Sequence, residues 1–106
     1  MPHFSSAPSG ALTRRTFRAP FTNGTELIGA NLSEANLNGA DLIKADLSKA
    51  RLIGAKLTGA NLSFAKLGEA NLTGADLTGA NLSEAFLLDA NLEAAILTDV
   101  IRPGGF

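Results

Sequence analysis

The sequence predicts an all-β solenoid, and three regularities predict it: a leucine at every fifth residue, an alanine two residues before it, and proline kept out of the repeating stretch. The leucines run without a gap from Leu27 through Leu32, Leu37 and Leu42 to Leu92 and Leu97, which makes fifteen units. From Ala30 to Ala95 an alanine stands two residues ahead of each. A step of five residues turns an α-helix by roughly 500°, so each leucine would fall about 140° from the last and no buried stripe would form. On a straight strand an odd step sends successive leucines to opposite faces. A chain that turns a corner at each repeat escapes both problems, because every leucine and its alanine then point to one shared axis. Short fixed repeats of this kind are the signature of solenoids.

Taken in order, the chain opens on a segment of different composition. Residues 1–24 carry Arg14, Arg15 and Arg18, no acid, and Pro2, Pro8 and Pro20. They are expected to form an N-terminal tail in which Leu12, Phe17 and Phe21 are a candidate cap; Phe17, ten residues before Leu27, keeps the leucine register. The Arg-rich, acid-free start also resembles part of an export or organellar targeting signal, although no apolar stretch follows "TRRTF". The compartment therefore stays open between organelle and export, with the cytoplasm as the default. Three arginines are too few for a nucleic-acid-binding arm of any strength. Residues 25–101 form the repeat body. Six of its glycines share one repeat position (Gly29, Gly39, Gly54, Gly59, Gly74 and Gly79), where a permissive backbone eases a corner. No proline interrupts the body, as expected if its amides bond between coils. Residues 102–106, with Pro103, form a short C-terminal tail.

The units read "ANLSE", "ANLNG", "ADLIK", "ADLSK", "ANLTG" and "ADLTG". In this they resemble the pentapeptide-repeat family, whose motif is Ala, then Asp or Asn, then Leu or Phe, then two variable residues. The resemblance spans residues 25 to 101 and departs from the motif locally: Thr25 and Val100 replace the alanine, and Arg51, Lys56, Lys66, Phe86 and Ile96 stand where Asp or Asn is usual. What the resemblance implies is a right-handed quadrilateral β-helix with four units to a coil, hence just under four coils for fifteen units. Periodicity alone supplies neither the handedness nor the number of sides. A single coil buries too little to offset the ordering of its residues, so the stack is the folding unit.

The residue types exclude most chemistry. There is no cysteine, so there is no disulfide framework and no thiolate, and His3 is the only histidine. Neither a Ser-His-Asp arrangement nor a histidine-ligated metal site can be assembled from it. No catalytic residue, metal site or cofactor is expected. The Asp and Asn residues of the motif are read as corner hydrogen-bond formers rather than ligands. No apolar run approaches the roughly 20 residues of a membrane-spanning helix. Residues 26–102 carry ten acids and six bases. With four units to a coil, Asp46 and Lys66, Lys49 and Glu69, and Lys56 and Asp76 would stack as opposite charges on neighbouring coils.

The expectation for function is a non-catalytic structural or protein–protein interaction module. Its candidate partner surface is Phe86, Leu88, Ile96 and Ile101 in the last coil, with Phe64 as a lone outward aromatic. A competing expectation folds Ile101 and Phe106 back over Leu92 and Leu97 as a minimal cap. Resemblance to the gyrase-inhibiting members of the family implies self-association through the C-terminal end and, as the alternative function, a DNA-mimicking gyrase-binding protein. Against that alternative, Lys66 interrupts the acidic column of Glu26 and Asp46. A protein partner is expected; nucleic acid is not.

Overall fold

The structure is a computed structural model that describes residues 24–104. The candidate cap residues Leu12, Phe17 and Phe21, together with Phe106, lie outside the described residues. Within them one local conformation recurs. Numbering the positions of a unit from one to five, as in Ala30, Asn31, Leu32, Ser33 and Glu34, the chain turns directly after each leucine. The N–H of the next alanine donates back to the leucine carbonyl, as from Ala35 to Leu32 at 3.0 Å. The fifth residue has a positive φ in every unit from Gly29 to Asp99. An i to i+3 bond closed over a left-handed third residue is the type II turn pattern.

Coils are joined through position two. Each position-two residue forms a parallel bridge with the one twenty residues on, from Glu26 with Asp46 to Asn81 with Ile101. The backbone bonds around a bridge follow one scheme: Leu32 N–H donates to the Arg51 carbonyl at 2.7 Å, Arg51 N–H to Ala30 at 2.9 Å, and Glu34 N–H to Ile53 at 2.9 Å. Twenty residues are four units, so units four apart stack on one side and the coil has four sides. Each side contributes a single bridge rather than a long strand, because a corner arrives before a second can form.

The interior holds leucine and alanine. From Leu27 to Leu77 every position-three leucine is fully buried, as is every position-one alanine from Ala35 to Ala80. Each such leucine contributes about 1.5–3 kcal/mol on burial. No polar or charged residue is buried among the described residues, which leaves the polar positions free to organise the corners.

They do so through position four, whose N–H takes no part in the ladder. In nine units it donates to the side-chain oxygen of the Asn or Asp at position two, as from Ser63 to Asn61 at 3.1 Å and from Thr78 to Asp76 at 3.0 Å. The hydroxyls of Ser48, Ser63, Thr73, Thr78 and Ser83 donate to the same oxygens. The motif Asp and Asn residues are thus corner hydrogen-bond formers, as their chemistry predicts. Lys56 offers no such oxygen, and there Asn38, one coil earlier, reaches across to accept from Thr58 N–H at 2.8 Å. Pro103 is buried at a fourth position, where a residue without an N–H removes nothing from the ladder.

The charge columns stack as expected, without closing into ion pairs. Asp46 and Lys66 are bridge partners, as are Lys56 and Asp76, so opposite charges do stand on neighbouring coils. No ion pair joins them, however. Asp46 and Asp76 turn their carboxylates to the N–H and hydroxyl of Ser48 and Thr78 instead, because the corner bond lies within the same unit and needs no long side chain to be immobilised.

Candidate functional site

The two ends of the stack differ. In the first coil Leu27, Leu32, Leu37 and Leu42 have essentially no accessible surface, whereas in the last coil Leu87, Leu92, Leu97, Ala90, Ala95 and Val100 are only partly buried. The backbone shows the same opening. One coil earlier, Leu72 N–H donates to the Asn91 carbonyl at 2.7 Å and the Ala70 carbonyl accepts from Asn91 at 2.9 Å. The corresponding groups of the last coil, the N–H groups of Leu92, Ala94, Leu97 and Asp99 and the carbonyls of Ala90 and Ala95, have no backbone partner among the described residues. Among the described residues, two consecutive sides therefore present an unpaired β-edge above a partly uncovered apolar interior.

Four of the five candidate partner residues sit at this level. Phe86, Leu88, Ile96 and Ile101 are all exposed, Leu88 at 78%. They do not form one facial patch. With four sides to a coil, Phe86 and Leu88 lie on one side, Ile96 on the opposite side and Ile101 on the next. What they share is height: they form a rim around the open end. Ile101 does not fold back over Leu92 and Leu97, because its own rung holds it. Its N–H donates to the Ala80 carbonyl at 2.9 Å and its carbonyl accepts from Leu82 at 2.8 Å, which leaves its side chain at an outward position two. Phe64 stands apart, at a fifth position two coils below unit 100–104 on the same side, with φ 60°. The structure adds Ile28, exposed at position four of the first unit on the same side as Leu88, which sequence reasoning missed. Its signal was a large apolar residue at a variable position.

Charge at this level is mainly acidic, with exposed Arg102 next to Ile101 as its base. Between Phe86 and Ile101 the chain carries Asp89, Glu93 and Asp99, all exposed, and no lysine or arginine. One coil earlier, bonds from the Thr78 hydroxyl and N–H hold the Asp76 carboxyl below its ordinary value of 3.8. Among the described residues no three His, Cys, Asp or Glu side chains are grouped so as to hold a metal ion, and no helix is long and apolar enough to cross a membrane.

These features define a class of protein, a four-sided solenoid of five-residue units. Residues 23–59 and 60–99 match the profile of pentapeptide repeats in eight copies, and the chain belongs to the pentapeptide-repeat family. Its fold is that family's right-handed quadrilateral β-helix. The chain is similar to the crystal structure of a pentapeptide-repeat protein from the cyanobacterium Cyanothece 51142 (40% identity, TM-score 0.72, covering 76% of this chain and 54% of that one). It is similar also to a pentapeptide-repeat protein of the Arabidopsis thaliana thylakoid lumen (30% identity, TM-score 0.79, 84% of this chain and 62% of that one). A third similar structure is a Nostoc pentapeptide-repeat protein involved in heterocyst differentiation regulation (37% identity, TM-score 0.53, 79% of this chain and 41% of that one). The chain thus spans between two fifths and under two thirds of the length of these relatives. No curated protein matches it in sequence.

Proposed function

We propose that this chain is a non-catalytic interaction module, a β-helix of just under four coils whose repeat body, residues 25–101, holds its last coil rigidly toward a protein partner. The observation that carries this reading is the apolar rim of Phe86, Leu88, Ile96 and Ile101 around partly uncovered Leu92 and Leu97. Large apolar side chains at solvent-facing positions add little to the stability of an isolated solenoid, and grouped exposure of this kind marks contact surfaces. One relative, the Nostoc protein, is described as acting in regulation, a role that interaction modules fill. The alternative, a DNA-mimicking gyrase-binding protein, calls for an unbroken acidic column; here Glu26 and Asp46 are followed on the same side by Lys66 and Phe86.

The test is affinity capture from the native extract with the wild-type chain and with a Phe86→Ser, Leu88→Ser double variant. Both side chains are exposed, so the variant keeps the inner columns. A partner held by the wild type and lost by the variant supports the reading. Identical capture by both would move the working surface away from the last coil.

A further inference from the structure

The partner's chemistry at this end can be read from three independent features. The first is the ladder. The lower coils bond to the next in the parallel sense, with position-three N–H groups from Leu27 to Leu82 and position-five N–H groups from Gly29 to Gly79 donating upward and the position-one carbonyl accepting. The last coil repeats that pattern on units 90–94 and 95–99 with no backbone partner among the described residues. The second is register: the interior below the edge is only partly covered at Leu92 and Leu97, five residues apart, so a covering segment must present apolar residues at that same spacing. The third is charge. Asp89 and Asp99 flank the two sides and Glu93 lies between them; the base of this coil, Arg102, stands on the next side, so the two sides themselves carry acids alone.

We propose that the last coil is a template for strand addition by an extended, basic segment of a protein partner, about ten residues long at one rung across two sides of five. This rests on the interaction-module reading above and specifies its partner. The segment's carbonyls accept from Leu92 and Leu97 N–H, its amides donate to Ala90 and Ala95, its apolar residues cover the two leucines, and its lysines or arginines face Asp89, Glu93 and Asp99. Backbone bonds supply adhesion and the alternate pockets supply selectivity, as in other strand additions. A second copy of this chain meeting the same end is disfavoured by charge, since each copy would bring Asp89, Glu93 and Asp99 to the junction against the single base Arg102.

The experiment uses the full chain and three fluorescein-labelled ten-residue peptides: two units with leucine at position three and arginine at position four of the first unit and position five of the second, above Glu93 and Asp99; the same with glutamate for arginine; and the arginine peptide with N-methyl groups on its position-two amides, which bridge to Ala90 and Ala95. The arginine peptide is expected to bind about tenfold tighter than the glutamate peptide at low salt, a gap that narrows as salt rises. The N-methylated peptide is expected to lose binding, and the bound arginine peptide to slow hydrogen exchange at Leu92 and Leu97. Equal binding of all three peptides, or none by the arginine peptide, overturns the proposal. So does sedimentation at twice the 10.9 kDa chain mass with Leu92 and Leu97 protected and no competition from peptide, which would assign the edge to a second copy. If the peptides fail while the Phe86→Ser, Leu88→Ser variant still loses a captured partner, the interaction module stands and strand addition falls.

Discussion

Ala94 occupies a backbone conformation that its side chain disfavours, with φ 61°, and Gly74, one coil earlier at the same corner, occupies it freely with φ 69°. An L-residue in the left-handed region is strained by roughly 1–2 kcal/mol, part of which is returned through the smaller entropy of its unfolded chain. Ala94→Gly is therefore expected to raise stability by about 0.5–1 kcal/mol in chemical denaturation, and Gly74→Ala to lower it by a similar amount. A Cβ on Gly74 would meet nothing within 4 Å, so if Gly74→Ala proves silent, backbone strain is not the force at this corner. The six shared glycines made the corner legible in the sequence. That Glu34, Lys44 or Phe64 adopts the same φ was not legible from residue type and follows only from the register. Asp76 adds a pH dependence. Its carboxyl is held below 3.8 by the Thr78 bonds, so the stability it contributes is present above the ordinary carboxylate range and is lost as pH falls through its depressed value. In Thr78→Val its NMR titration midpoint is expected to move up toward the ordinary value, and the stability gap to wild type to shrink in acid; an unmoved midpoint would remove Thr78 as the cause.

At the scale of the repeat unit, the side-chain oxygen at position two closes the corner, and the units that lack it show how the neighbours respond. Thr58 N–H has lost its local acceptor to Lys56 and is served by Asn38 from the coil before it. A hydrogen bond of this kind contributes about 1 kcal/mol, so Asn38→Ala is expected to destabilise by about that amount. In a Lys56→Asn background the local acceptor returns and the same substitution should be nearly silent, a coupling that a double-mutant cycle in urea measures directly. Equal losses in both backgrounds would show that Asn38 acts by another route. The sequence made the unit legible because its inner positions hold Leu and, except at Thr25 and Val100, Ala. It did not make the Asn38 bond legible, since that contact joins residues twenty apart and arises from a vacancy at Lys56. For the same reason Phe86 and Ile96 read as one surface in the sequence. Only the number of sides separates them.

At the scale of the whole molecule, a stack in which each coil bonds only to its neighbours has a stability that varies along its axis. Interior coils open only when a ladder on each face is broken, whereas the last coil is held from one side. The amides of Leu52 and Leu57 donate to Asn71 and Asp76 in the middle of the stack, and Leu72 donates to Asn91 in the last coil, while those of Leu92 and Leu97 have no backbone acceptor among the described residues. Native-state hydrogen exchange should therefore fall into three classes. Leu52 and Leu57 exchange with the protection of global unfolding, Leu72 more readily because its acceptor lies in the least supported coil, and Leu92 and Leu97 at rates close to those of an unstructured chain. The ordering follows from which bonds exist and not from residue type, since all five residues are leucines at the same position of the repeat. Protection at Leu92 and Leu97 equal to that at Leu52 would mean that the end is covered in solution. The exposed rim of Phe86, Leu88, Ile96 and Ile101 would then surround a closed surface rather than an edge awaiting its next strand.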